Sequence, residues 1–173
     1  MAFQQTIFIN QAAGVPGEII QDVPWIVQPY TLVSTPELNT VGATAYTITS
    51  QGIAQAGSGG AFGFAGILGI PKSYALNGTG GVPLAPTLVL PDQTVGEIVS
   101  QGMMFVTLPA AAAIGDYVVY DNTTGVLATM SPGPTLPSGY SFANAVVAVD
   151  TVSAAGLAII QLSVVVNPVP VPA

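Results

Sequence analysis

Charge is what this chain has least of. Only 5% of its 173 residues are Asp, Glu, Lys or Arg, against about 25% in an average soluble domain. The one cation is Lys72, set against eight carboxylates, and Arg, His and Cys are missing altogether, which leaves a formal net charge of −7. Each absence excludes a class of chemistry. Without His or Cys there is no Ser–His–Asp or Cys–His nucleophile and no zinc site of the usual nitrogen and sulfur kind. Without Cys there is no disulfide framework. Without Arg there is no bidentate clamp on phosphate. One cation against eight anions leaves no footprint for nucleic acid. No cofactor is called for by any residue pattern.

Long apolar runs are missing too, although mean hydropathy is +0.66. The longest, Ala61 to Ile70, has ten residues and three glycines inside it. A membrane-spanning helix needs about 20 apolar residues, so no membrane partner is expected. The N-terminal MAFQQTIFINQAAG has no basic n-region or continuous apolar core, and the expectation is a protein made without export by the standard route. Half the residues are apolar, which separates the chain from disordered sequences. Few charges and much aliphatic surface suit a protein packed against neighbours.

What is present is punctuation. Twenty Gly and fifteen Pro divide the chain into short runs rich in Val, Ile, Thr and Tyr: Pro24–Leu32, Ala45–Thr49, Thr87–Leu90, Met103–Leu108, Tyr117–Tyr120, Ala145–Val149 and Leu157–Val166. That pattern predicts an all-β fold, a single barrel or sandwich-like domain. In the last run Ala158, Ile160, Leu162, Val164 and Val166 share one face, so a long central strand is expected there. Tyr117–Tyr120, Asp121–Gly125 and Val126–Thr129 read as a β-hairpin. Ala110–Ala113 has helix propensity but lies between Pro109 and Gly115, which leaves room for one turn at most.

Three blocks recur in the same order. Gly17-Glu18-Ile19-Ile20 returns as Gly96-Glu97-Ile98-Val99, the pair Gly42/Gly52 as Gly115/Gly125, and Ala65-Gly66-Ile67-Leu68 as Ala145-Val146-Val147-Ala148. The expectation is a pseudo-duplicated domain over 14–166, with repeat units of approximately 14–90 and 91–166 sharing one core. Two flanks fall outside it: an extended N-terminal arm at 1–13 and a Pro-rich C-terminal tail at 167–173.

Several of these segments carry a resemblance. Ala12-Ala13-Gly14-Val15-Pro16-Gly17-Glu18, the pairing of Ser50–Gly57 with Gly63–Leu68, Pro71-Lys72-Ser73-Tyr74-Ala75-Leu76, and Ala110–Asp121 (AAAAIGDYVVYD) resemble a bacteriophage family of structural cement proteins. The likeness runs from about residue 10 to residue 166 and leaves out the proline tail. It implies a β-barrel accessory protein that decorates the outside of a capsid, bound to the major capsid protein and without catalytic activity. Its motifs are glycine and alanine scaffolding, with no catalytic or binding residue to carry over.

The remaining chemical candidates have bland readings. Asp121–Gly125 lacks the ligand alternation of a calcium loop and reads as a turn. Glu18 and Glu97 invite comparison with a glycosidase carboxylate pair, but their likeness follows from the repeat, and both read as exposed strand starts. Gly57–Gly60 and Gly78–Gly81 are followed by neither Lys nor a helix, as a phosphate loop requires. Lys72 reads as a surface cation, and Trp25, in an apolar strand, reads as core. The sequons Asn77-Gly78-Thr79 and Asn122-Thr123-Thr124 are idle without secretion.

Three function classes remain. A cement protein on a virus shell accounts for the missing catalytic residue types and the negative charge, and repulsion from packaged DNA favours the outer face. A tail or head-fibre adhesion or carbohydrate-binding module calls for a row of exposed aromatics, which 8% aromatic residues scattered singly do not supply. A carboxylate hydrolase lacks its acid–base partners. On the first reading the protein is a dimer or trimer on the virion. Its partner contacts are expected at the termini, at Phe3, Ile7, Phe8 and Ile9 of the arm and Val169 and Val171 of the tail.

Overall fold

The computed structural model describes residues 14–35, 39–57, 63–70, 89–133, 135–149 and 152–163. Every regular element among them is a strand: β1 (Ile19–Ile20), β2 (Ile26–Val33), β3 (Asn39–Thr40), β4 (Ala45–Ile48), β5 (Ile53–Ala56), β6 (Phe64–Leu68), β7 (Val89–Leu90), β8 (Val95–Leu108), β9 (Tyr117–Asp121), β10 (Leu127–Met130), β11 (Tyr140–Val149) and β12 (Gly156–Leu162). The all-β expectation holds. The Ala110–Ala113 run forms no helix, and Ala112 instead makes a β-bridge to Val152.

The organising element is β8, fourteen residues long. Its first half pairs with β2 and β6, and the path β8–β2–β5–β4–β6 returns to β8, closing a five-stranded ring. Within that ring only β2 and β5 run parallel. The second half of β8 pairs with β12, and the sheet continues through β11 and β9 to β10. The segment entering β4 ties that sheet back to β8: Leu127 N donates to Ala43 O at 3.1 Å, Ala45 N to Gly125 O at 2.8 Å, and Thr107 N to Gly42 O at 2.8 Å. Closure removes the exposed strand edges that an open sheet of this apolar content would present.

Strand alternation divides the buried side chains into two clusters instead of the single core expected. On β4, Ala45 faces one cluster and Tyr46 the other. Ile67 and Leu68 divide the same way on β6, as do Val99 and Ile98 on β8. These three strands form a wall with a core on each side. The larger core gathers Met104, Val106 and Leu108 with side chains of β9, β11 and β12. The smaller holds Leu32, Tyr46, Leu68, Leu90 and Ile98.

β8 also changes the phase of its pleat along its length. The register with β2 slips between Ile26 and Val27, and Gly102 nearby has φ +120°. An extra residue in one strand of a period-two structure moves every later side chain to the opposite face. Ile98 therefore points into the smaller core while Met104, also even-numbered, points into the larger. This phase change also hid the strand. Only Met103–Leu108 looks regular in sequence, so the long central strand is β8 and not the 157–166 run, where β12 ends at Leu162. Within β12, Ala158, Ile160 and Leu162 are buried and Gln161 is exposed, as the alternation predicts; Val164 and Val166 lie outside the described residues.

The two halves share some local geometry. β4 pairs with β5 and β6, and β9 pairs with β10 and β11, each trio antiparallel with a register slip in its second pairing. Gly42, Gly52, Gly115 and Gly125 all have positive φ at corresponding turns. The Gly17/Gly96 match has no such counterpart: Gly17 is in a turn with φ +84°, whereas Gly96 lies inside β8.

Candidate partner-binding surface

The carboxylates do not assemble into a reactive site. Glu18 Oε2 accepts from Val15 N at 3.1 Å and closes a surface turn, while Glu97 is the third residue of β8, paired opposite Pro29. They are not equivalent in setting, contrary to the repeat-based reading. Asp121 Oδ1 accepts from Thr123 N (2.9 Å), Thr124 N (2.7 Å) and Thr124 Oγ1 (2.9 Å). The Thr124 amide and the other donors outweigh slight burial and hold this carboxyl below its ordinary value. The hairpin turn is thus the role of Asp121. Beside it, Asn122 Oδ1 is buried without a partner, but one amide oxygen is no cation site. Among the described residues no group of three or more metal-ligating side chains occurs.

The most buried polar cluster is structural. Asp92 Oδ1 accepts from Asn39 Nδ2 (2.6 Å), Ser34 N (3.0 Å) and Ser34 Oγ (3.3 Å), and Tyr46 OH donates to Asn39 Oδ1 at 2.6 Å. Burial, then the Asp92 charge, pushes the Tyr46 hydroxyl well above its ordinary value. This chain of bonds fastens the β3–β7 pair over the smaller core.

The sequence-predicted contact residues Phe3, Ile7, Phe8, Ile9, Val169 and Val171 lie outside the described residues, as do Lys72, Asn77 and Gly78–Gly81. The roots of both termini are described, and both adjoin the second half of β8. At the N-terminal root, Gly17 N donates to Phe105 O at 2.7 Å and Phe105 N to Glu18 O at 2.9 Å. The Gly14 backbone lies so close to the Phe105 ring that a Cβ there would fall 2.4 Å from it. At the C-terminal root, Leu162 is opposite Gly102, and Ser163 N donates to Asn144 O at 3.0 Å.

One surface feature was missed in the sequence. Trp25 is 39% exposed and Ile26 45%, so the reading of Trp25 as core is corrected. The physical reason is position. β12 stops opposite Gly102 and β2 starts opposite Gln101, and Trp25 falls at the gap between strand end and strand start. A depression of about 170 Å³ occupies that gap, lined by Val23, Pro24, Gln101, Gly102, Met103, Gln161 and Leu162. Trp25 Cβ is 2.8 Å from where a side chain on Gly102 would begin, so the backbone of β8 can pass there only as glycine.

This two-cored β fold has a relative among solved structures. A chain of the capsid of Myoviridae phage XM1 superposes with a TM-score of 0.60 at 20% identity, covering 95% of this chain and 99% of that one. No curated protein sequence matches. The family model of the structural cement protein (E217 gp24/Pam3 gp6) matches residues 3–163. That match takes in the hydrophobic arm, which the motif resemblance left out, and stops at the last described residue before the proline tail. A match over so much of the chain, with a barrel fold shared with a phage capsid component, places this protein in the phage structural cement family.

Proposed function

We propose that the protein binds the outer face of a phage capsid and stabilises the shell by bridging major capsid protein subunits, as a non-enzymatic component of the virion. The observation that carries this reading is the reach of the family match to residue 3. Arm residues Phe3, Ile7, Phe8 and Ile9 fall within the matched range. The arm is rooted on β8 through Gly17 and Glu18, so a pull on it is transmitted to the longest strand of the fold. Linked weak contacts from the barrel and the arm give avidity that neither supplies alone. The net charge of −7 opposes a position beside packaged DNA.

The test is a particle-binding assay with residues 1–10 deleted. Weaker retention on capsids with unchanged barrel unfolding is the expected result, and full retention would overturn the role of the arm. Copy number in purified virions tests the wider reading. A cement protein occurs at roughly the abundance of the major capsid protein, whereas a fibre module is far scarcer.

A further inference from the structure

We infer that the outward face of the β8–β12–β11–β9–β10 sheet is the surface that docks on a shell subunit, against an apolar patch bordered by cations. The inference rests on the capsid reading above and names the part of the barrel that makes the contact.

The sheet is apolar on both faces. In an antiparallel ladder, residues directly opposite each other project on the same side. Met104, Ile160, Ala145 and Val118 turn into the larger core, so the positions that alternate with them turn outward. Across the five strands those positions read Met103–Gln161–Val146–Tyr117–Met130, each paired directly with the next. A neighbouring row reads Phe105–Ile159–Val149. Neither row contains a charged residue, and Gln161, in the middle of the first, is exposed. Met103, Val146, Tyr117, Met130 and Ile159 are half-buried, and Val149 is 39% exposed. An antiparallel sheet with one face on the core ordinarily turns polar side chains to water on the other. A contiguous apolar face left open marks an interaction site.

Two observations select the occupant. The first is the N-terminal root. The Gly14 backbone lies against the Phe105 ring, so the hydrophobic arm that precedes Gly14 joins the barrel on this same face. A partner held by the arm is therefore the partner nearest the face. The second is charge. Among the described residues there is no Lys or Arg, and carboxylate residues stand at the borders of the face. Asp116 adjoins Tyr117, and Glu18 O accepts from Phe105 N. A second copy docked here would bring its own carboxylates to that border. A shell surface with Lys or Arg around an apolar centre complements it.

The test places one charge in the middle of the face. Gln161→Glu keeps the shape of an exposed side chain, so the free protein should tolerate it. On the particle the new carboxylate would lose its water without gaining a partner. Gln161→Glu and Val149→Glu should each reduce retention on capsids about tenfold or more, with unfolding temperatures unchanged. Val89→Glu puts the same charge on β7, over the smaller core, at a residue 43% exposed; its retention should match the wild type. Wild-type retention in both Gln161→Glu and Val149→Glu overturns the inference and leaves the capsid reading standing. Equal loss in all three variants overturns it too, because net charge and not position would then decide binding. Absence of the wild-type chain from capsids removes the capsid reading itself, and this inference with it.

Discussion

At the scale of single residues, two glycines with nearly the same backbone make a controlled comparison. Gly52 (φ +76°) and Gly125 (φ +74°) both close hairpins. A Cβ on Gly52 would meet nothing within 4 Å, whereas one on Gly125 would fall 2.5 Å from Ala45 O and 2.7 Å from Gly57 N. Gly52→Ala should therefore cost only the left-handed backbone penalty, about 1–2 kcal/mol. Gly125→Ala adds overlap with two main-chain atoms that cannot move without breaking the Ala45–Gly125 bond, and should exceed about 3 kcal/mol. Chemical denaturation of the two variants measures the difference; equal losses would show that closure beside Gly125 is looser than described. The hairpin itself was legible, since Asp, Asn, Thr and Gly in that order are turn residues. The crowding at Gly125 was not, because Ala45 and Gly57 come from distant parts of the chain.

At the scale of elements, the β3–β7 pair depends on polar bonds more than on its two-residue ladders. Asn39 is fully buried and joins Tyr46 OH to Asp92 Oδ1. Asn39→Ala would leave a buried hydroxyl and a carboxylate each short of a partner, at a cost of about 1–3 kcal/mol apiece. Tyr46→Phe removes one bond and should cost less. Alkaline pH reads the same cluster. A phenol whose value is raised on folding keeps its proton in the native state while the unfolded chain ionises above about pH 10. The contribution is complete below that pH and is lost as pH rises through the gap between the unfolded and folded values. Burial raises both Tyr46 and Tyr120, so stability should fall above about pH 10, less steeply in Tyr46→Phe. An unchanged alkaline slope in that variant would remove Tyr46 from the account. Nothing in the sequence pointed to this cluster: Asp92 lies 58 residues from Ser34 and 53 from Asn39, and β3 and β7 are too short to show a period.

At the scale of the molecule, the wall of β4, β6 and β8 has consequences for cooperativity. Its side chains feed both cores, so neither core can open without exposing the wall it shares with the other. A single transition with equal calorimetric and van't Hoff enthalpies is expected. Two resolved transitions would show the two cores to belong to separable domains. The surface has a consequence for binding. Among the described residues, large apolar side chains such as Val15, Trp25, Ile26, Val95 and Ile114 remain well exposed, while charges are few. Attachment to capsids through such a surface draws on burial of apolar area, about 25 cal/mol per Å², and should persist at high ionic strength. Release by salt alone would point to ion pairing as the dominant force.

The sequence by itself determined the all-β class, the hairpin at 117–129, the inward face of β12 and the lack of His, Cys and Arg, because each follows from local period, turn chemistry or composition. Its glycine and alanine motifs also carried the family resemblance. Tertiary structure decided the rest. The pleat phase change near Gly102 hid the length of β8, and the pairing of β4, β6 and β8 into one wall divided the buried side chains between two cores. Trp25 was placed at the surface by where two strands stop and start along β8. Periodicity records which residues share a face of one strand. It does not record which strand lies opposite, and that choice sets both the number of cores and the position of the exposed indole.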